Sequence, residues 1–218
     1  MLNDEEQLAF QKSVENVRVL AARHLKNARD AANAVQFVNN LHRGIDKIAH
    51  QAAVHGPKPE CTAGCAYCCR ARVEATEPEI FLICREIRKH PGDEIKTLVL
   101  QLQKRVEEDL GNRLNSNRPS CVFLVNNLCS IYEVRPAVCR RAHSLSVEHC
   151  KNFSAEIPQN LELILDAEAL MKGTSAAYIG SSLQSSGQEL SAAVLMALTN
   201  ENIEARWFKG EVHLGATL

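Results

Sequence analysis

No apolar run in the chain approaches the roughly 20 residues that cross a bilayer. The leading residues, Met1-Leu-Asn-Asp-Glu-Glu-Gln, are acidic and lack the basic region and apolar stretch of a secretory signal. The expectation is a cytoplasmic protein in a reducing compartment, where lasting disulfides are rare. Net charge is also scarce, at -1, so no global attraction to nucleic acid or to an anionic membrane is expected. A serine nucleophile elbow, a zinc-protease helix and a Walker loop are all missing, which leaves a hydrolase or nucleotidase unsupported. Gly173, Gly180 and Gly187 fall seven apart but follow no strand, so turns and short helices are expected there rather than a phosphate loop.

What the sequence has is cysteine. Nine occur in 218 residues, and seven of them fall in two short stretches. Cys61-Thr-Ala-Gly-Cys65-Ala-Tyr-Cys68-Cys69 is the first; Cys121, Cys129 and Cys139 make the second. Nine is odd, so the thiols cannot all pair within the chain, and a bond between neighbours Cys68 and Cys69 would close a strained ring. Apolar content of 45% and this length give a globular core that needs no cross-links to fold. Metal or cluster ligation is the better reading.

Around these stretches the pattern is mainly α: a helical bundle with two cysteine-rich loops and one small β-hairpin around a metal centre. Three parts are expected: a helical N-terminal extension over 1–55, a cysteine-cluster region over 56–155, and C-terminal helices over 156–218 that pack on the core. Asp4 and Gln7 read as a cap pair. Leu8, Val14, Val17, Ala21, Leu25 and Ala28 form an apolar stripe, continued by Ala31, Val35, Val38, Leu41, Ile45, Ile48 and Ala52, with room for a bend near 27–33. This extension would pack on the rest of the chain, on a protein partner or on a second copy. His24, His42 and His50 lie on its polar faces.

Gly56-Pro57-Lys58-Pro59 stops that helix. Thr76 and Glu79 read as a capping box for the next, with Ile80, Phe81, Ile83, Cys84 and Ile87 inward; Cys84 is a small buried thiol, not a ligand. A further helix is expected over 93–110, then a loop over 115–120. Cys121 and Cys129 would sit on the arms of a hairpin turning at Asn126-Asn127. A short helix should begin at Pro136. Another opens at Pro158, with Leu161, Ile164, Leu165 and Ala169 inward and Gly173 as its stop. Ser186 with Glu189 would cap a last helix, and Trp207-Phe208 would anchor the tail.

Thiolates are soft ligands for zinc, iron and iron–sulfur clusters. Cys61, Cys65, Cys68, Cys69, Cys121, Cys129 and Cys139 are too many for one four-coordinate zinc. They suit two mononuclear sites, a shared cluster, or one site with extra redox-active thiols. The count leans toward iron–sulfur over zinc. Gly64 permits the turn that aims successive sulfurs inward, and extended backbone would make Cys68 and Cys69 diverge. Several thiolates on one metal leave net negative charge, which Arg70, Arg135 and Arg140 can offset; Arg135 and Arg140 can equally pair with Glu74, Glu77 or Glu133. His143, His149 and Cys150 are second-rank ligands.

Cys61-x3-Cys65-x2-Cys68-Cys69, followed by Cys121-x7-Cys129-Ser-Ile-Tyr-Glu-Val-Arg-Pro-Ala-Val-Cys139-Arg, resembles the YkgJ-type cysteine-cluster family, described as zinc- or iron-chelating proteins. The resemblance covers roughly residues 60 to 141 and implies that these seven cysteines are the family's cysteine positions. Some relatives look like flagellin lysine-N-methylases that use S-adenosylmethionine. The spacing Cys-x3-Cys-x2-Cys is also similar to the radical S-adenosylmethionine signature, but that motif belongs after the first strand of a βα barrel, and this chain reads as helices. The leading expectation is a metal-binding protein in a structural, chelating or redox role; an iron–sulfur enzyme using S-adenosylmethionine is the alternative.

Overall fold

The computed structural model describes residues 2–111, 119–212 and 214. Helix α1 spans Asp4–Leu25 and α2 spans Ala31–His55, so the long apolar stripe breaks at Lys26–Asp30. The cap of α1 is Asn3, not Asp4: Asn3 Oδ1 accepts from Glu6 N at 2.9 Å, and Glu6 Oε2 accepts from Asn3 N at 2.8 Å. A carboxylate makes the reciprocal bond with full charge at the positive helix end, so Glu6 wins over Gln7. Gly56 follows α2 as its cap, ahead of the two prolines.

Helix α3 (Glu77–Ile87) begins at the expected box, with Glu79 Oε2 accepting from both Thr76 N and Thr76 Oγ1 at 2.9 Å. Its Ile80, Phe81, Ile83, Cys84 and Ile87 are all buried. Helix α4 runs over Gly92–Gly111. The expected loop at 115–120 falls outside the described residues up to position 118. Strands β2 (Leu124–Val125) and β3 (Leu128–Cys129) form the hairpin. Asn126 and Asn127 turn it with φ of 51° and 62°, the left-handed pair that a two-residue hairpin turn requires and that asparagine tolerates. Cys129 lies on an arm, but Cys121 sits three residues before the other. Helix α5 (Ala137–Arg141) follows Pro136, and α6 covers Val147–Lys151.

Helix α7 (Leu161–Gly180) departs most from expectation. Asn160 caps it, not Pro158, and Leu161 is exposed. Gly173 does not stop it: a Cβ there would stand 2.6 Å from Val14 O and from Val17 Cβ. The glycine lets α1 lie directly on α7, which is α1's main partner within the chain. The 174–180 stretch is therefore helix, not turn. Helix α8 (Leu190–Thr199) is capped by Glu189, which accepts from Ala192 N at 2.8 Å. Ser186 is occupied instead with buried Glu77, to which its N–H donates at 2.7 Å. Strand β1 (Glu74–Ala75) pairs antiparallel with β4 (Gln188–Glu189).

The core centres on aromatic packing of Phe81, Tyr178 and Trp207, with the Phe81 and Trp207 ring centroids 5.2 Å apart. Trp207, in α9 (Ile203–Phe208), donates from Nε1 to Gln184 O at 2.8 Å and so anchors the tail. The architecture is mainly helical with two small antiparallel strand pairs. No described helix is long and apolar enough to cross a membrane.

Candidate metal centre

The first cysteine stretch turns at Gly64, whose φ of 84° a side chain would disfavour. Cys65 N donates to Thr62 O at 3.0 Å, closing that turn. A single 3-10 turn, Tyr67–Arg70, then carries Cys68 and Cys69. This corrects the extended backbone considered from sequence: the two neighbouring thiols ride on one tight turn, close enough to shift each other's ionisation. Their interaction pulls Cys68 down to about 6, against its partial burial, and pushes Cys69 up. Of the two, Cys68 is the thiol that loses its proton more readily.

Main-chain bonds stitch the two stretches together. Cys121 N donates to Cys69 O at 2.7 Å, and Glu60 N donates to Ser144 O at 2.9 Å. Cys61 Sγ reaches the same Ser144 carbonyl at 3.9 Å. Glu60 Oε2 also accepts from Val147 N at 2.6 Å, at the start of α6. These bonds bring Cys150 alongside the first stretch.

Mutual electrostatics divide the thiols into two groups. Burial first, then the neighbouring thiols, raises Cys61 and Cys139, whereas Cys69 is raised by Cys68 first and by burial second. Cys61 feels Cys65, Cys68 and Cys150. Cys139, pushed up to about 12, feels Cys121, Cys68 and Cys129. Cys69 feels Cys68 above all, then Cys121 and Cys139. Cys68 belongs to both groups. Sequence ranked Cys150 as a second-rank candidate, and in the structure it is near enough to Cys61 to help raise that thiol. Cys84 stands apart, fully buried in α3 with Sγ 3.8 Å from Val194 O.

The nine cysteines are all free thiols. Among the described residues, no three Cys, His, Asp or Glu side chains stand in finished ligand geometry. In donor type the cysteines fit a thiophilic ion; gathering them into a coordination shell requires thiol movement and loss of protons. His143 cannot contribute while its present bonds hold. Its Nε2 accepts from Asn160 N at 2.7 Å, so the ring proton sits on Nδ1, which donates to Arg141 O at 3.0 Å. His149 keeps Nε2 free, with Nδ1 on Ser146 Oγ at 2.8 Å.

The arginines differ among themselves. Arg70 is exposed, 6.0 Å above the Phe153 ring. Arg135 lies 3.7 Å over the Tyr132 ring; burial raises the Cys129 thiol, and the Arg135 charge offsets part of that rise. Arg140 is buried, bonded to Asp46 Oδ2 at 2.6 Å, to Arg135 O at 3.0 Å and to Glu133 O. The carboxylate these two arginines meet is Asp46 of α2, not the side chain of Glu74, Glu77 or Glu133. Arg105 of α4, which sequence reading passed over, donates to Pro119 O and Ser120 O just before Cys121. His42 is not on a polar face either: it is 2% exposed, with Nε2 3.1 Å from Glu79 Oε1.

Fold and site together define a mainly helical protein that gathers free thiols on short surface elements. Residues 60–159 match the CxxCxxCC family model, described as "Putative zinc- or iron-chelating domain". The first cysteine interval here is three residues, and Gly64 lies in it. No curated protein and no solved structure matches the chain.

Proposed function

We propose that the protein chelates zinc or iron through its two cysteine loops, with Cys61, Cys65, Cys68, Cys69, Cys121, Cys129 and Cys139 as ligands and Cys150 as an eighth. The observation that carries this reading is the match of residues 60–159 to a zinc- or iron-chelating domain, with the two cysteine stretches joined by the bond from Cys121 N to Cys69 O. A four-coordinate zinc uses four thiolates, so eight suit two centres or one cluster with additional ligands. Arg70 and Arg135 supply positive charge at the rim, while Arg140 serves to hold α5. The reading extends to a centre placed for chelation, with redox use reserved for a bound iron–sulfur cluster.

An S-adenosylmethionine enzyme draws no support from the architecture, since the four described strands are each two residues long and build no barrel. The deciding measurement is an absorption spectrum with elemental analysis on protein purified without oxygen. Broad visible absorption with iron and acid-labile sulfide is expected for a cluster, and colourless protein with stoichiometric zinc for mononuclear sites. Protein that holds neither metal, even after reconstitution, would overturn the proposal.

A further inference from the structure

Helix α5 is only five residues long, too short to be stable by its own hydrogen bonds, yet it carries Cys139. Both of its ends are held from outside. At its start, Ala137 N donates to Glu79 Oε1 at 2.6 Å, and the same oxygen faces His42 Nε2 at 3.1 Å. Toward its end, Arg140 is bonded to Asp46. His42 and Asp46 are four apart on α2 and share a face. Glu79 itself is 3% exposed and is held below the usual carboxylate range despite its burial, by His42 first and then by the N–H groups of Thr76 and Ala137.

Stability alone is a poor reason for this arrangement. A buried ion pair is often matched or bettered by apolar side chains of similar volume. Here, moreover, His42 Nδ1 is buried with no hydrogen-bond partner. What the arrangement does is fix one short turn of backbone in direction and register. A thiol ligand must be placed to within about 0.2 Å.

We propose that His42, Asp46 and Glu79 are positioning residues for the metal centre: Glu79 of α3, backed by His42 of α2, holds the start of α5, Asp46 of α2 holds its end, and together they aim Cys139. None of the three touches a metal. The inference rests on the chelation reading above, but it makes a separate statement about Cys139 that metal-free protein can report.

The test compares full-length wild type with Glu79→Ala, Glu79→Gln and Asp46→Asn. Zinc affinity is measured by chelator competition, and alkylation of each cysteine in the metal-free protein is followed by mass spectrometry. Glu79→Ala should weaken zinc binding by about 10- to 100-fold, the usual cost of losing a group that orients a ligand. It should also speed alkylation of Cys139 by about tenfold through local opening, while Cys84, buried in the neighbouring helix, stays protected. Glu79→Gln keeps an oxygen for Ala137 N and should recover most of both effects. Asp46→Asn should act in the same direction but less. Its side chain is 47% exposed, so it tests the grip even if Glu79→Ala fails to fold. Unchanged Cys139 reactivity in both Glu79→Ala and Asp46→Asn would overturn the inference, as would Cys84 opening together with Cys139. If wild type takes up neither zinc nor iron, the chelation reading falls, and the ratio of Cys139 to Cys84 alkylation still decides whether these residues position Cys139.

Discussion

Cys84 and Cys68 are the same residue in opposite surroundings. Cys84 sits in the helical body among Ile80, Phe81 and Ile83, where burial pushes its thiol up to about 12 and makes it behave as a small apolar group. Cys68 sits exposed on a 3-10 turn, where its neighbour Cys69 pulls it down to about 6. The surrounding regions differ in the same way. The body is made of helices of 6 to 25 residues around buried aromatic rings. The cysteine region is made of elements of two to five residues, joined by single bonds such as Cys121 N to Cys69 O. Apolar burial makes the first region cooperative. The second leans on individual hydrogen bonds, and in our reading on metal, whose binding energy is then folding energy.

The sharpest way to break this comparison is Cys68→Ser. Because Cys68 neighbours both thiol groups, this variant should lose more than half of the bound metal by elemental analysis. The helical signal and its main thermal transition should stay close to wild type. Loss of both together would show that the regions do not behave separately.

Gly173→Leu attacks the other region. The side chain would collide with α1 at Val14 and Val17, and overpacking of this kind costs about 1–3 kcal/mol. Denaturant unfolding should show that loss with unchanged metal content.

The smallest effect is expected at Cys84. Cys84→Ala should cost about 1 kcal/mol near pH 7 through lost packing, without altering metal content. The pH dependence has a definite sign. The folded thiol keeps its proton up to about 12 while the unfolded thiol loses it near 9. Its contribution is therefore complete below pH 9 and is lost as pH rises through 12. Unfolding followed from pH 8 to 11 should show the difference between wild type and Cys84→Ala shrinking as the pH rises. A constant difference would mean Cys84 is less buried than its neighbours imply.

Much of the body was legible because its signals are local. The Thr76–Glu79 box, the apolar run through Ile87 and the Asn126-Asn127 turn each depend on residues a few positions apart. The misreadings had distant causes. Gly173 looks like a helix stop until α1 is laid on it, since an isolated glycine carries the same local signal in either role. Ser186 looks like a cap until Glu77 takes its N–H. His42 seemed to face solvent because its partner, Glu79, is 37 positions away.

By itself the sequence determined that thiols gather in two stretches, that Cys84 is not among them, and that helices surround them. Composition, periodicity and spacing are properties of neighbours along the chain. Only the tertiary structure decided that Cys68 links two thiol groups, that Cys150 joins Cys61, that Arg140 meets Asp46, and that α2 stands behind Cys139. Each of these depends on which helix faces which, and that is set by close packing such as α1 against Gly173 and by buried bonds such as that between His42 and Glu79, which no local pattern records.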